Sequence, residues 1–167
     1  MWSSDTPPSR RRLLAALPLL ALAGCGFQLK GAASLQFESI ALTGFAPRSP
    51  LEQELRAALA RSVTVKDAPD QAQVVFQALS EERLRRAVAF TASGQVREIQ
   101  LRTVFRYRAQ TPKERELIPD SRIEQIRELT FIERQALGKQ QEADDLFREM
   151  QSDIVQQLLL RLSTVRV

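Results

Sequence analysis

The stretch IQLRTVFRYR, Ile99–Arg108, decides how the chain folds. Ile99, Leu101, Thr103, Phe105 and Tyr107 fall at every second position, while Gln100, Arg102, Arg106 and Arg108 fill the alternate ones, interrupted by Val104. Side chains of a strand point alternately to opposite faces, so this pattern gives a strand with one face in a core and one wet, basic face. A partner strand precedes it through Val74, Phe76 and Ala78 and on through Leu84, Val88 and Phe90. TASGQ, residues 91–95, reads as the hairpin connection, with Gly94 at the turn.

Working outward, QTPKERELIPDS reads as the next loop and RIEQIRELTF as a further strand, with weaker alternation than the hairpin. From about Leu137 to Thr164 the apolar period changes. Ala143, Leu146, Phe147, Met150, Ile154, Val155, Leu158, Leu162 and Val165 recur at steps of three and four, the stripe of a long amphipathic helix. Glu142, Asp144 and Asp145 stand early and Arg161 late, as the helix dipole favours. Such a helix reaches about 40 Å, enough to cross a small sheet diagonally.

Upstream, SPLEQELRAALA predicts a second helix of about three turns. Ser49 can cap it, Pro50 suits its first position, Glu52 can complete a capping box, and Leu51, Leu55, Ala58 and Leu59 form its apolar face. FESIALTGF, residues 37–45, reads as a short strand covered on both sides, and KDAPDQ breaks the helix before AQVVFQAL. The expected order is β–α–β–β–β–α: an α+β domain, a small mixed or antiparallel four-stranded sheet with two helices packed on one face. There are no internal repeats or low-complexity segments.

The first residues read differently. Basic Arg10–Arg12, the apolar run LLAALPLLALA (Leu13–Ala23) and small Gly24 stand in signal-peptide order, and the run is too short to span a bilayer as a helix, which needs about 20 residues. SRRRLL also resembles a twin-arginine export signal. Leu22–Ala23–Gly24–Cys25 resembles the lipobox of bacterial lipoproteins, in which the cysteine takes a diacylglyceryl group and becomes the new N-terminus. Lipidation explains why Cys25 is the only cysteine, and several acyl chains, each buried CH₂ contributing about 0.8 kcal/mol, hold such a chain at a membrane surface. Gly26 rather than aspartate follows Cys25, which by the sorting rule this resembles favours the outer membrane. The expected divisions are a signal peptide over 1–24, the lipidated cysteine and tether over 25–35, and one domain over 36–167.

Composition narrows the chemistry. With 167 residues, 44% hydrophobic and 26% charged, the chain is long enough for one ordinary domain with a real core. It has no histidine, which removes Ser/His/Asp and Cys/His nucleophiles and imidazole zinc sites. Asp144 and Asp145 are adjacent carboxylates on a helix and point in different directions, and no nucleophile motif surrounds a serine. A pI near 9.8 suggests nucleic acid. The export segment and a charge near +2 once Asp5 and Arg10–Arg12 are removed argue against it.

CGFQLKG after the lipobox, the capped helix SPLEQELRAAL, the hairpin around FTASGQ and the closing ALGKQQEADDLFREMQSDIVQQLLLRL together resemble the LPS-assembly lipoprotein LptE family of Gram-negative bacteria. The resemblance covers nearly all of the chain after Cys25, most specifically the CGFxL start and the final helix. It implies a non-enzymatic lipoprotein on the periplasmic face of the outer membrane. There it would plug and help assemble the LptD β-barrel and bind lipopolysaccharide on its way to the cell surface. It implies no cofactor beyond the covalent diacylglyceryl and acyl lipid on Cys25. The family's ALxK motif matches Ala136–Leu137–Gly138–Lys139, which makes Lys139 a lipopolysaccharide contact. The family's basic residue at the hairpin tip aligns near Thr91 and Ala92, where this chain has none, and Arg86 or Arg97 stands on the flanking strands instead.

Other basic candidates on the hairpin are Arg83, Arg85, Arg102, Arg106 and Arg108, suited to lipid A phosphates through charge-assisted hydrogen bonds. Against that stands a solvated face on which these arginines pair with Glu81, Glu82, Glu98, Glu124 and Glu128. The alternative function is that of an outer-membrane lipoprotein that serves another envelope complex as a structural partner without binding lipopolysaccharide.

Overall fold

The computed structural model describes residues 34–131 and 136–167. The signal segment 1–24, Cys25 and the tether as far as residue 33 lie outside the described residues. The elements are β1 (Ser39–Thr43), α1 (Pro50–Leu59), β2 (Thr64–Lys66), a 3₁₀ turn (Pro69–Gln71), β3 (Val74–Phe90), β4 (Val96–Gln110), β5 (Glu116–Thr130) and α2 (Ala136–Leu162). The fold is α+β as expected, but the sheet has five strands rather than four, in the order β2–β1–β3–β4–β5. The added strand, β2, is three residues long and pairs parallel to β1 through Ser39–Thr64, Ile40–Val65 and Ala41–Lys66. Three residues are too few to display a period of two, so no alternation marks it in the sequence.

β1 also pairs parallel to β3, from Ile40–Val74 to Thr43–Gln77, whereas β3–β4 and β4–β5 are antiparallel. At α1 the Ser49 hydroxyl accepts from the Glu52 N–H at 3.3 Å, and Leu51, Leu55 and Leu59 are buried. The reciprocal half of the expected capping box is replaced. Glu52 turns forward to Arg56, one turn along the helix, at 3.0 Å.

Two clusters of apolar side chains lie between the sheet and the helices. The larger joins Ile40, Leu42, Phe76, Phe105 and Tyr107 of the sheet to Leu51, Leu55 and Leu59 of α1 and Ile154, Leu158 and Leu162 of α2. The smaller, farther along the hairpin, holds Leu101, Leu129, Ala143, Phe147 and Met150. Where the first cluster sits the sheet has five strands, and beyond Gln77 only β3, β4 and β5 continue. We call these the base and the distal half. Gln36 bridges to Arg166 at the base, so both ends of the described chain meet there.

Two expectations about the long strands change. Residues 110–121 are not one loop: the turn is confined to residues between β4 and β5, and Pro119 lies inside β5. An edge strand tolerates proline, and the register shift that takes Tyr107–Ser121 to Ala109–Ile118 accommodates it. In β3, Leu84, Val88 and Phe90 do not continue the core face of Val74, Phe76 and Ala78. An extra residue, Leu79, interrupts the pairing between Ala78–Tyr107 and Ser80–Arg106 and reverses the faces that follow it, and further register shifts between Ala87 and Ala89 and between Ala89 and Phe90 break the alternation again near the hairpin tip. Gly44 packs against this bulge with φ +76°, and a Cβ there would sit 2.2 Å from the Ala78 carbonyl oxygen.

Candidate functional site

Leu101 is buried beneath Phe147 and Met150, so β4 turns Gln100, Arg102, Val104 and Arg106 to the face that neither helix covers. The register builds rows across that face: Ser80–Arg106–Arg122, Glu82–Val104–Glu124, Leu84–Arg102–Ile126 and Arg86–Gln100–Glu128. Charges of both signs alternate with aliphatic side chains. Glu124 takes an ion pair from Arg102 on one side and from Arg122 at 2.6 Å on the other. Arg106 grips Asp120 with two nitrogens, its Nε donating to Oδ1 at 3.3 Å. That hydrogen bond, reinforced by the carboxylate charge, raises the Arg106 pKa above its ordinary value.

The opposite face carries the other predicted cations. Arg85 reaches α2, donating to Gln140 at 2.8 Å and Asp144 at 2.5 Å, with its guanidinium 5.3 Å from the Phe147 ring centroid. Arg83 lies between Glu81, at 3.1 Å, and the Gln151 carbonyl, at 2.7 Å. Gln151 in turn donates to Glu54 of α1 at 2.6 Å, and Ser49 donates to Glu81 at 3.1 Å. This chain of polar contacts joins α1, β3 and α2 where the two halves meet. Lys139, in the first turns of α2, pairs with Glu142 at 2.7 Å and is mostly covered.

The eight cations singled out in the sequence therefore do not form one cluster. Arg86, Arg102 and Arg106 share the uncovered face, Arg85 and Lys139 lie on the helix side, and Arg97 stands in the irregular first residues of β4 near the hairpin tip. Arg83, Arg85, Arg102, Arg106 and Lys139 each have a carboxylate partner. Among the described residues, Arg86, Arg97 and Arg108 have none, and Arg108 donates instead to the Gln77 side-chain carbonyl at 2.7 Å. Arg122 was missed, although Arg122, Glu124, Ile126 and Glu128 alternate within RIEQIRELTF as plainly as the uncovered face requires.

The tip itself is a tight turn in which Thr91 N–H donates to Gln95 at 2.8 Å, Gly94 N–H donates to Thr91 at 3.0 Å, and Gly94 takes φ +80°. Phe131 N–H donates to the Arg97 carbonyl at 2.7 Å and ties the end of β5 to the same place. Among the described residues no group of three or more histidine, cysteine, aspartate or glutamate side chains is arranged to hold a metal ion.

The fold and this distribution of charge define a class: an α+β scaffold of a long-stranded sheet and two helices that presents a charged sheet face and arginines beside its hairpin tip. The Lipopolysaccharide-assembly family, LptE, matches residues 37–162. The LPS-assembly lipoprotein LptE of Yersinia enterocolitica is 32% identical over 162 residues, covering 92% of this chain and 75% of that protein. Its counterpart from Pectobacterium atrosepticum is 30% identical over 159 residues, covering 92% and 84%. In solved structures, lipoprotein B of Nitrosomonas europaea superposes with a TM-score of 0.72 at 28% identity over 83% of this chain and 90% of that one. The rare lipoprotein B of Shewanella oneidensis shares the fold, with a TM-score of 0.66 at 20% identity, covering 76% and 95%. The chain belongs to the LptE family of lipopolysaccharide-assembly lipoproteins, whose members are not enzymes.

Proposed function

We propose that this chain is lipidated at Cys25, sits on the periplasmic face of the outer membrane, and plugs and helps assemble an LptD-type β-barrel while binding lipopolysaccharide in transit. Family membership supports the assembly role, and one observation carries the ligand role: Arg86 and Arg97 flank the hairpin tip without carboxylate partners among the described residues. An arginine already paired gains little from a phosphate, because it must give up one charge-assisted bond to make another. An unpaired one gains the whole contact. Affinity purification of the lipidated protein from its native outer membrane should bring down a stoichiometric large β-barrel, and its reproducible absence in mild detergent would sink the plug role.

A second reading has its own support. Five of the eight candidate cations are already paired with carboxylates, as expected for a structural partner of an envelope complex that does not bind lipopolysaccharide. Titration of the purified chain with lipopolysaccharide separates the two, since only the first reading gives saturable binding weakened by Arg86→Gln and Arg97→Gln. Lys139→Glu then tests the remaining contact, which in this structure must first release Glu142.

A further inference from the structure

We propose that the open edge of β3 is a self-association surface, on which a second copy of this chain pairs antiparallel about Leu84 and sets Glu82 of each copy against Arg86 of the other. Beyond Gln77, β3 is bonded to β4 on one side and to no strand on the other among the described residues. Edge groups left this way are a template for another strand. Between Ser80 and Ala87 the pairing with β4 runs without a register shift, so Glu82, Leu84 and Arg86 lie together on the face that neither helix covers. All three are exposed, Leu84 by 46%. The ion pairs of this hairpin use other residues, and among the described residues neither Glu82 nor Arg86 joins one. Glu82 only adds its charge to the field at Arg106.

The sign pattern selects the occupant. Charges on an edge strand ordinarily turn other strands away. Glu82, Leu84 and Arg86 are instead their own complement. When two copies of a strand pair antiparallel about a twofold axis normal to the sheet, both keep the same face up, and residues equally far from the axis on either side meet. With the axis at Leu84, Glu82 meets Arg86 twice and the two Leu84 side chains meet between them, at the separation of about 4.5–5.5 Å over which cross-strand pairs interact. Moving the axis to Arg83 or Arg85 sets Glu82 against Leu84 or Val88 and loses both pairs. On the helix side the Leu84 register brings Arg83 opposite Arg85, but Glu81 holds the first and Asp144 the second, so each carries its own countercharge. The open stretch has the same centre as the charges. It begins after Ala78, where Gly44 packs, and ends with the strand at Phe90, with Leu84 midway. A second copy matches this edge in length as well as in sign. Arg86 cannot serve a phosphate and a second copy at once, so the pairing belongs to the chain without lipopolysaccharide.

Sedimentation velocity of the full chain, purified in mild detergent and separated from any barrel, tests this. The wild type should show a concentration-dependent equilibrium between monomer and dimer. Glu82→Arg alone and Arg86→Glu alone each set like charges opposite at both pairs and should weaken dimerisation about tenfold or more. Mixing the two variants should restore it, because every pair between a Glu82→Arg chain and an Arg86→Glu chain is again of opposite sign. That rescue requires both variants to be folded, so it separates lost pairing from lost structure, and sharing of a micelle would be the same for all three chains. A wild type that is monomeric at every concentration overturns the proposal. So does a dimer that both single variants leave undiminished, or a mixture that dimerises no better than either variant alone. A monomeric chain whose retention of a β-barrel falls with either variant also overturns it, and gives the edge to a barrel strand.

Discussion

The base and the distal half are built from the same three long strands but are held in different ways. At the base, five strands, two helices and a stack of Phe45, Phe76, Phe105 and Tyr107, with ring centroids 5.4–6.3 Å apart, enclose a continuous apolar core. In the distal half one helix covers three strands with a small apolar cluster, and polar side chains make much of the remaining contact: Arg85 with Asp144, and Arg127 with Asp153 at 2.7 Å. Partly exposed ion pairs add little net stability, because water competes for both charges. The base carries most of the apolar core, and the distal half leaves more charged surface open.

The largest expected effect tests that division directly. Phe105→Ala, at a fully buried position of the stack, should cost about 3–5 kcal/mol in denaturant unfolding, whereas Phe147→Ala in the distal cluster should fall toward the bottom of that range. In hydrogen exchange the first should raise exchange throughout the chain. The second should raise it chiefly in the hairpin beyond Leu79, and equal loss of protection at the base would refute separable halves.

At the junction, Gly44→Ala would hold a non-glycine residue at positive φ and press its Cβ against the Ala78 carbonyl. A cost of at least about 1–3 kcal/mol should appear in the melting transition, accompanied by chemical-shift changes centred on the bulge. Gln151→Leu removes both the acceptor of Arg83 and the donor to Glu54, and should cost about 1–2 kcal/mol because water reaches the stranded charges in part. If it instead stabilises the chain, the polar link between α1, β3 and α2 is not what joins the halves.

The smallest effect is a matter of pH. Burial raises the Tyr107 pKa above 10.0, with Arg161 opposing the rise. The folded state therefore keeps this proton at a pH where the unfolded chain has lost it. Its contribution is complete below pH 10 and is lost as pH climbs from there through the folded-state pKa. Tyr107→Phe should leave stability at pH 7 nearly unchanged and flatten the alkaline decline measured by denaturant titration.

Elements with enough length to display their period were legible in the sequence. Alternation over Ile99–Tyr107 and the three-four spacing over Ala143–Leu162 located β4 and α2, and the Ser49–Pro50 start located α1. What escaped was short or irregular. β2 has too few residues to show alternation, and one inserted residue, Leu79, ends the core face begun by Val74, Phe76 and Ala78 without leaving a mark in composition. The candidate cations were found by type, but the faces taken by Arg83, Arg85 and Arg86 depend on that same insertion, and the partners of all of them depend on which carboxylates the fold brings near. Lys139 shows the limit: a motif named the residue, while only the helix geometry supplies Glu142 beside it.

The parallel pairing of β1 with both β2 and β3 has a mechanical consequence. Tension applied along the axis of β1 at its Ser39 end would load the hydrogen bonds of Ser39–Thr43 in shear, along the strand. Bonds loaded in shear must yield together, whereas bonds peeled from an end yield one at a time. The hairpin tip and the start of β1 lie at opposite ends of the sheet, and the strand at the base end is clamped on both sides.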